Sequence, residues 1–323
     1  MYPILSGEQG KRMPALSGRR AKPAIYEKRV QQSKMAARLT HAGAWTSLPE
    51  ELENHIMVVA IRDQALTSWR LIMQDVIWLH ALGARPVLVQ SGGPPDLRFS
   101  QLASEESQEG AIVTLEMVRI TQCHEINQEL MVQTCNLGER AVALSGIDGQ
   151  MVQAHRSGLG LGAAAHIQAV DPHLVEVLCA QGYLPIVGSL GQGPDGTTLF
   201  IDGEHFATHL ACALDAEMLV VLDNAPGVRR CDGSLIAALD ESEGRWLLEE
   251  GAIASEQIPL LSACLGALVA VPRVHIADGD EPHTLLHLCL GGLPKGTRLI
   301  RDPAPVSSPG GHVARQQPEA PNN

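Results

Sequence analysis

The sequence predicts an α/β protein, an open αβα sandwich around a mainly parallel central sheet. Two observations point to it. Short, apolar, β-branched runs alternate with helical stretches of about ten to fifteen residues, the pattern of strands covered on both faces by crossover helices. Apolar residues make up 45% of the 323 and aromatics only 3%, so a large core is available, built from Leu, Val, Ile and Ala rather than rings.

The elements follow in order. Residues 1–24 carry Pro, Gly and Ser with little periodicity and read as a mobile arm; a helix is expected over about 23–39. The body begins near Leu52. His55 to Ala60 is a buried strand, Ser68 to Leu82 a helix closed by Gly83, and Arg85 to Val89 the next strand. Ile112 to Gln133 is a long helix, and Ala141 to Leu144 a strand stopped at Ser145-Gly146. Pro172 to Gln181 (helix), Leu184 to Val187 (strand), His205 to Leu214 (helix) and Met218 to Leu222 (strand) continue the alternation. Pro259 to Val269 and Arg273 to Ile276 form a last helix–strand unit, and 302–323, with five Pro, reads as a disordered tail. Ligands of such folds sit beyond the carboxyl ends of the strands, so loops 60–66, 90–97, 145–149, 188–204 and 223–228 are the places to look.

Charge and cysteines exclude several classes. The chain has 24 Lys and Arg against 36 Asp and Glu, net −12, which argues against a general grip on nucleic acid. Residues 1–45 hold nine of the basic residues and two acids, Glu8 and Glu27: a basic arm on an acidic body. No stretch has the roughly 18 apolar residues of a membrane span. Seven scattered cysteines without a C-x-x-C pair argue against a disulfide framework or thiolate zinc site and fit a reducing compartment. The cytoplasm is expected; the Arg-rich, acid-poor start leaves the mitochondrial matrix as the alternative.

Several segments then stand in a telling order: Leu79-His80-Ala81-Leu82-Gly83 leading to Gly92-Gly93-Pro94; Thr114 to Val118 with Glu125-Ile126-Asn127-Gln128-Glu129; Ser145-Gly146-Ile147-Asp148-Gly149; Val170-Asp171-Pro172; Gly182 to Ile186; Asp202-Gly203-Glu204; Pro226-Gly227-Val228; and Val274 to Gly279 with Pro282-His283 and Gly296-Thr297. Over about 52–300 the chain resembles the amino-acid kinase family, most closely the N-acetylglutamate kinases and the kinase-like half of N-acetylglutamate synthases. The resemblance implies an acyl-amino-acid lobe at 52–205, a nucleotide lobe at 206–301, and phosphoryl transfer from ATP, with Mg²⁺, to an acyl-amino-acid carboxylate. It further implies a dimer, extended to a hexamer if the arm takes part.

That chemistry needs cations and backbone N–H groups around the moving phosphoryl. The chain departs from the family there. The first strand of the family ends K-x-G-G; here it reads Ala60-Ile61-Arg62-Asp63, so the lysine and both glycines are gone and Arg62 is the candidate substitute cation. The lysine of an I-P-K segment is replaced in Ile258-Pro259-Leu260. Glu204 stands at the organising aspartate and Asp202 at a substrate-side asparagine, where it repels a carboxylate. Gly92 and Gly93 are the candidate substrate loop, with Arg98 as a substrate-carboxylate contact. Asp223, Asn224, Pro226 and Gly227 form the turn expected to face nucleotide. His283 and Thr297 stand where arginine-regulated relatives have an effector site.

Other signals carry less. Gly158-Leu159-Gly160-Leu161-Gly162 lacks the spacing of a dinucleotide fingerprint and reads as a turn. His205 and His209 share a helix face; a helix pair with one histidine in the core is favoured over a metal site. Ser262 and Cys264 are expected as packing residues. Two functions remain: an ATP- and Mg²⁺-dependent acetylglutamate-kinase-type enzyme, impaired at its cations, or a pseudokinase without cofactor that binds an amino acid effector or a partner enzyme, an acetyltransferase or kinase subunit.

Overall fold

The computed structural model describes residues 49–50, 52–62, 65–90, 108–156, 165–290 and 296–302, with the side chains of 66–67 and 108–115 left aside. The arm and its helix, the Gly92-Gly93 loop with Arg98, the 158–162 glycines, and the tail beyond 302 lie outside the described residues.

Five strands form the centre of the large sheet: β1 (Ile56–Ile61), β2 (Arg85–Gln90), β6 (Leu184–Gly188), β9 (Met218–Asp223) and β11 (Arg273–Asp278). With β3 (Ala141–Ser145), β10 (Ala238–Asp240) and β12 (Thr297–Ile300), they give the order β10-β12-β11-β9-β1-β2-β6-β3. Six strands run parallel; β12 is antiparallel to β11 and pairs parallel with β10, so these two run the other way at one edge. The sheet passes without a break through both segments expected as lobes. A second sheet, β5-β4-β7-β8, is built from β4 (Val152–His155), β5 (His166–Val170), β7 (Leu190–Gln192) and β8 (Thr198–Phe200).

The helices are α1 (Trp69–Leu82), α2 (Gln108–Asn136), α3 (His173–Ala180), α4 (Gly203–Ala213), α5 (Glu241–Glu249), α6 (Ile258–Ala267) and α7 (Thr284–Cys289). Gly83 closes α1 at φ 116°, where an L residue is strained, and its N–H returns to the helix.

Both faces of the sheet are covered, which explains the unbroken apolar strands. Along β1, Val58 and Ala60 face a cluster with Val89, Phe206, Leu210 and Leu260; Met57, Val59 and Ile61 face the other, with Met73, Val76 and Leu79. The alternation continues at the strand end, placing Arg62 on the Ala60 side.

Candidate active site

Arg62 follows the last residue of β1, and its N–H is held by the Leu222 carbonyl at 3.0 Å. Its guanidinium reaches two carboxylates more than 140 residues away in sequence. Nε contacts Glu204 Oε1, and Nη1 donates to Asp223 Oδ2 at 2.8 Å. Burial works against the Arg62 charge, and the two carboxylates more than offset it, holding its pKa above the ordinary value. A shallow cleft opens here, lined by Ala60, Ile61, Arg62, Val89, Gly203 and Glu204.

Glu204 is positioned by the start of α4. Asp202 caps that helix, its Oδ1 accepting from the N–H groups of Glu204 at 3.2 Å and His205 at 3.4 Å. The His205 ring adds a contact at 3.3 Å. Burial pushes the Glu204 carboxyl up to about 7, the adjacent Asp202 carboxylate adds to this, and Arg62 pulls the other way. For Asp202, burial raises the pKa, but the His205 and Glu204 contacts outweigh it and hold the group well below the carboxylate range. His205 is raised, chiefly by its hydrogen bond to Asp202.

Asp223 ends β9 and is almost wholly buried. Its other oxygen accepts the Asn224 N–H at 2.9 Å, and its carbonyl accepts the Gly279 N–H at 2.7 Å. The turn continues through exposed Asn224 and half-buried Pro226 to buried Gly227. Gly227 has φ 138°, and a Cβ there would lie 2.6 Å from Thr297 Oγ1. The Gly227 carbonyl accepts from Gln257 Nε2 at 2.9 Å. Thr297 is itself buried; its hydroxyl accepts the Val228 N–H at 2.8 Å and donates to the Ile236 carbonyl at 2.6 Å. His283 lies elsewhere, before α7 at φ 62°, with Nδ1 2.9 Å from Asp75 Oδ1.

Leu260 is completely buried in α6 within the core, so a hydrocarbon fills the second lysine position. One turn on, the Cys264 thiol, raised by burial and by nearby Glu204, shows that this helix backs onto the site. Ser262 is exposed, unlike the expectation, because it falls on the outer side of α6; Cys264 is core. Likewise His205 and His209 are both exposed, since the inner face of α4 is filled by Phe206, Ala207 and Leu210. Among the described residues, no group of three or more His, Cys, Asp or Glu converges as a metal cage.

The structure thus gathers Arg62, Asp202, Glu204 and Asp223 at the ends of β1, β9 and α4. Sequence reasoning did not foresee that Asp223 would pair with Arg62, nor did it single out Ser189, a wholly buried serine after β6 whose hydroxyl has no partner among the described residues. Asp223 stands in the turn expected to face nucleotide, but its pairing with Arg62 and the burial of Ser189 show only in the three-dimensional neighbourhood.

Comparison with known proteins agrees with this architecture. The pattern of the Amino acid kinase family matches residues 57–278. An acetylglutamate kinase of Moorella thermoacetica is 33% identical over 236 residues, covering 67% of this chain and 80% of that protein. One from Synechococcus sp. (strain RCC307) is 36% identical over 226 residues, covering 67% and 76%. Among solved structures, N-acetylglutamate synthase from Neisseria gonorrhoeae, complexed with coenzyme A and N-acetyl-glutamate, superposes with a TM-score of 0.64 at 21% identity, over 88% of this chain. This chain spans 64% of the synthase chain. Carbamate kinase from Giardia lamblia bound to AMP-PNP gives 0.57 at 16% identity, over 77% of this chain and 99% of that one. These two likenesses speak for the fold alone. The sequence matches identify the chain as a member of the amino acid kinase family.

Proposed function

We propose that this protein is an acetylglutamate-kinase-like chain in which phosphoryl transfer is lost and binding remains. One observation carries the reading. The guanidinium that reaches the cleft, Arg62, is already matched by Glu204 and Asp223. A transferring phosphoryl group needs positive charge that is not answered by the protein itself, and each such interaction supplies on the order of a few kcal/mol of the rate. Ala60 and buried Leu260 add no charge. Among the described residues, the charges at the cleft do not fit the triphosphate end of Mg·ATP.

The retained role is recognition of a small amino-acid-like molecule or of a partner enzyme, by an oligomeric, cytoplasmic protein. Exposed Met117, Val132 and Leu137 on and just beyond α2 support an interface on that helix. No helix among the described residues is long and apolar enough to cross a membrane.

The enzyme reading keeps two supports: the likeness to acetylglutamate kinases and the reach of Arg62 into the cleft beside position 60. A coupled ADP-release assay with N-acetylglutamate separates the two. The non-catalytic reading expects no release above a Glu204→Ala control; turnover that disappears in Arg62→Ala establishes the enzyme instead.

A further inference from the structure

Two histidines meet in the small sheet. His155 is the last residue of β4 and His166 the first of β5, and the antiparallel ladder sets them directly opposite each other. Residues opposite in such a ladder project from the same face, with Cβ atoms about 5 Å apart. That face is the outer one. Ala154 lies in the core and Ile167 packs against it, so His155 and His166, one step along each strand, turn to the surface and are exposed. Their ring centroids are 6.1 Å apart, with the planes tilted by 34°. Among the described residues, no hydrogen bond or ion pair engages either imidazole.

Two imidazoles held side by side form half of a metal centre. Imidazole nitrogen suits borderline divalent ions such as Ni²⁺, Cu²⁺ and Zn²⁺, whereas Mg²⁺ and Ca²⁺ call for oxygen. With metal–nitrogen bonds of about 2.1 Å, two neighbouring ligand rings centre about 5 Å apart. Closing the observed gap takes about an ångström, within reach of χ1 and χ2 of two exposed side chains whose backbones the ladder fixes. Arg156, next in sequence, does not oppose the ion with an unanswered charge, because Glu116 pairs with it at 2.7 Å. His205 and His209 are the competing pair. They sit one turn apart on α4 and are also exposed, but Asp202 favours the protonated form of His205, which cannot ligate.

We propose that His155 and His166 together bind one divalent transition-metal ion. Water completes its coordination, since no third His, Cys, Asp or Glu converges with them among the described residues. The ion ties the end of β4 to the start of β5, and by binding the folded chain it stabilises it. None of the residues lining the cleft belongs to this site, so it is the same whether or not the protein transfers phosphoryl groups.

The test is calorimetric titration of the full chain with Ni²⁺, alongside thermal melts with and without the ion. The exposed thiols of Cys135 and Cys231 are first alkylated so that they do not compete. One Ni²⁺ per chain is expected, with a dissociation constant on the order of 0.1 mM, a rise in melting temperature and no saturation by Mg²⁺. His155→Thr and His166→Thr should each weaken binding at least about tenfold, because a single imidazole remains, while His209→Ala leaves it unchanged. Thr is well suited to exposed strands, so both variants are expected to fold; circular dichroism verifies them, and if one fails the other decides. Binding that survives either of these strand substitutions, binding lost in His209→Ala, equal binding of Mg²⁺, or no binding up to about 5 mM overturns the proposal.

Discussion

Arg62 is the residue on which the account turns. It joins the end of β1 to α4 and to β9 through two carboxylates, and the pair is mostly shielded from water, with the Arg62 side chain 26% exposed. Removing one partner of a buried ion pair costs more than the pair gives, because charges are left uncompensated. Arg62→Leu strands Glu204 and Asp223. Allowing for partial exposure, a loss of about 2–3 kcal/mol is expected in urea unfolding. A change within about 0.5 kcal/mol would mean the pairing is incidental.

Glu204 gives a second prediction at this scale. Its carboxyl is raised from the ordinary value to about 7 in the folded chain. The folded state therefore holds the proton more tightly than the unfolded state. The contribution to stability is complete below the ordinary carboxyl value and is lost as pH rises through about 7. Glu204→Gln removes this dependence. The melting temperature of the variant minus that of the wild type should thus be more positive at about pH 8 than at about pH 5. A difference that is flat or falls with pH contradicts the assignment. His205 titrates in the same sense but is present in both proteins.

At the scale of elements, the parallel strands were legible and the small ones were not. β1, β2, β6, β9 and β11 are apolar on both faces, and their sequences announce it. β7, β8 and β10 have three residues each, and β4 and β5 only four and five, so any alternation is too short to rise above the loops. Short, charged α5 was missed for a similar reason: Asp240 caps it, and Asp302, distant in sequence, accepts its Glu241 N–H at 3.2 Å. Of the site, Arg62 and Glu204 could be located by resemblance. The Arg62–Asp223 pairing joins residues 161 apart and depends on β1 lying beside β9, which no local pattern states.

Two substitutions test element geometry. Gly227→Ala forces an L residue to φ 138° with its Cβ against Thr297; a loss of at least about 2 kcal/mol and a lower melting temperature are expected. Wild-type stability would show that the turn readily yields. Leu260→Lys puts an ammonium into the fully buried face of α6, so instability on the order of 3–5 kcal/mol is expected, with no ADP release gained. A stable variant with restored turnover would show that the site is only one lysine away from catalysis.

For the whole molecule, the proposal is of a family fold kept while the charge of its functional end differs. The eight-stranded sheet, with both faces covered, accounts for the family match across residues 57–278. That scaffold depends on buried Leu, Val and Ile, none of which takes part in chemistry. Drift at Ala60 and Leu260 is therefore invisible to it, since both positions are simply core here. Fold and activity are separable in this way because the activity resides in a few side chains at strand ends.

The most direct test of the claim that Arg62 is already neutralised is calorimetric titration of the purified full chain with Mg·ATP. No saturable heat is expected, and no rise in melting temperature. Binding with a dissociation constant below roughly a millimolar, abolished in Arg62→Ala, would show that the guanidinium is available to phosphate after all and would contradict the account.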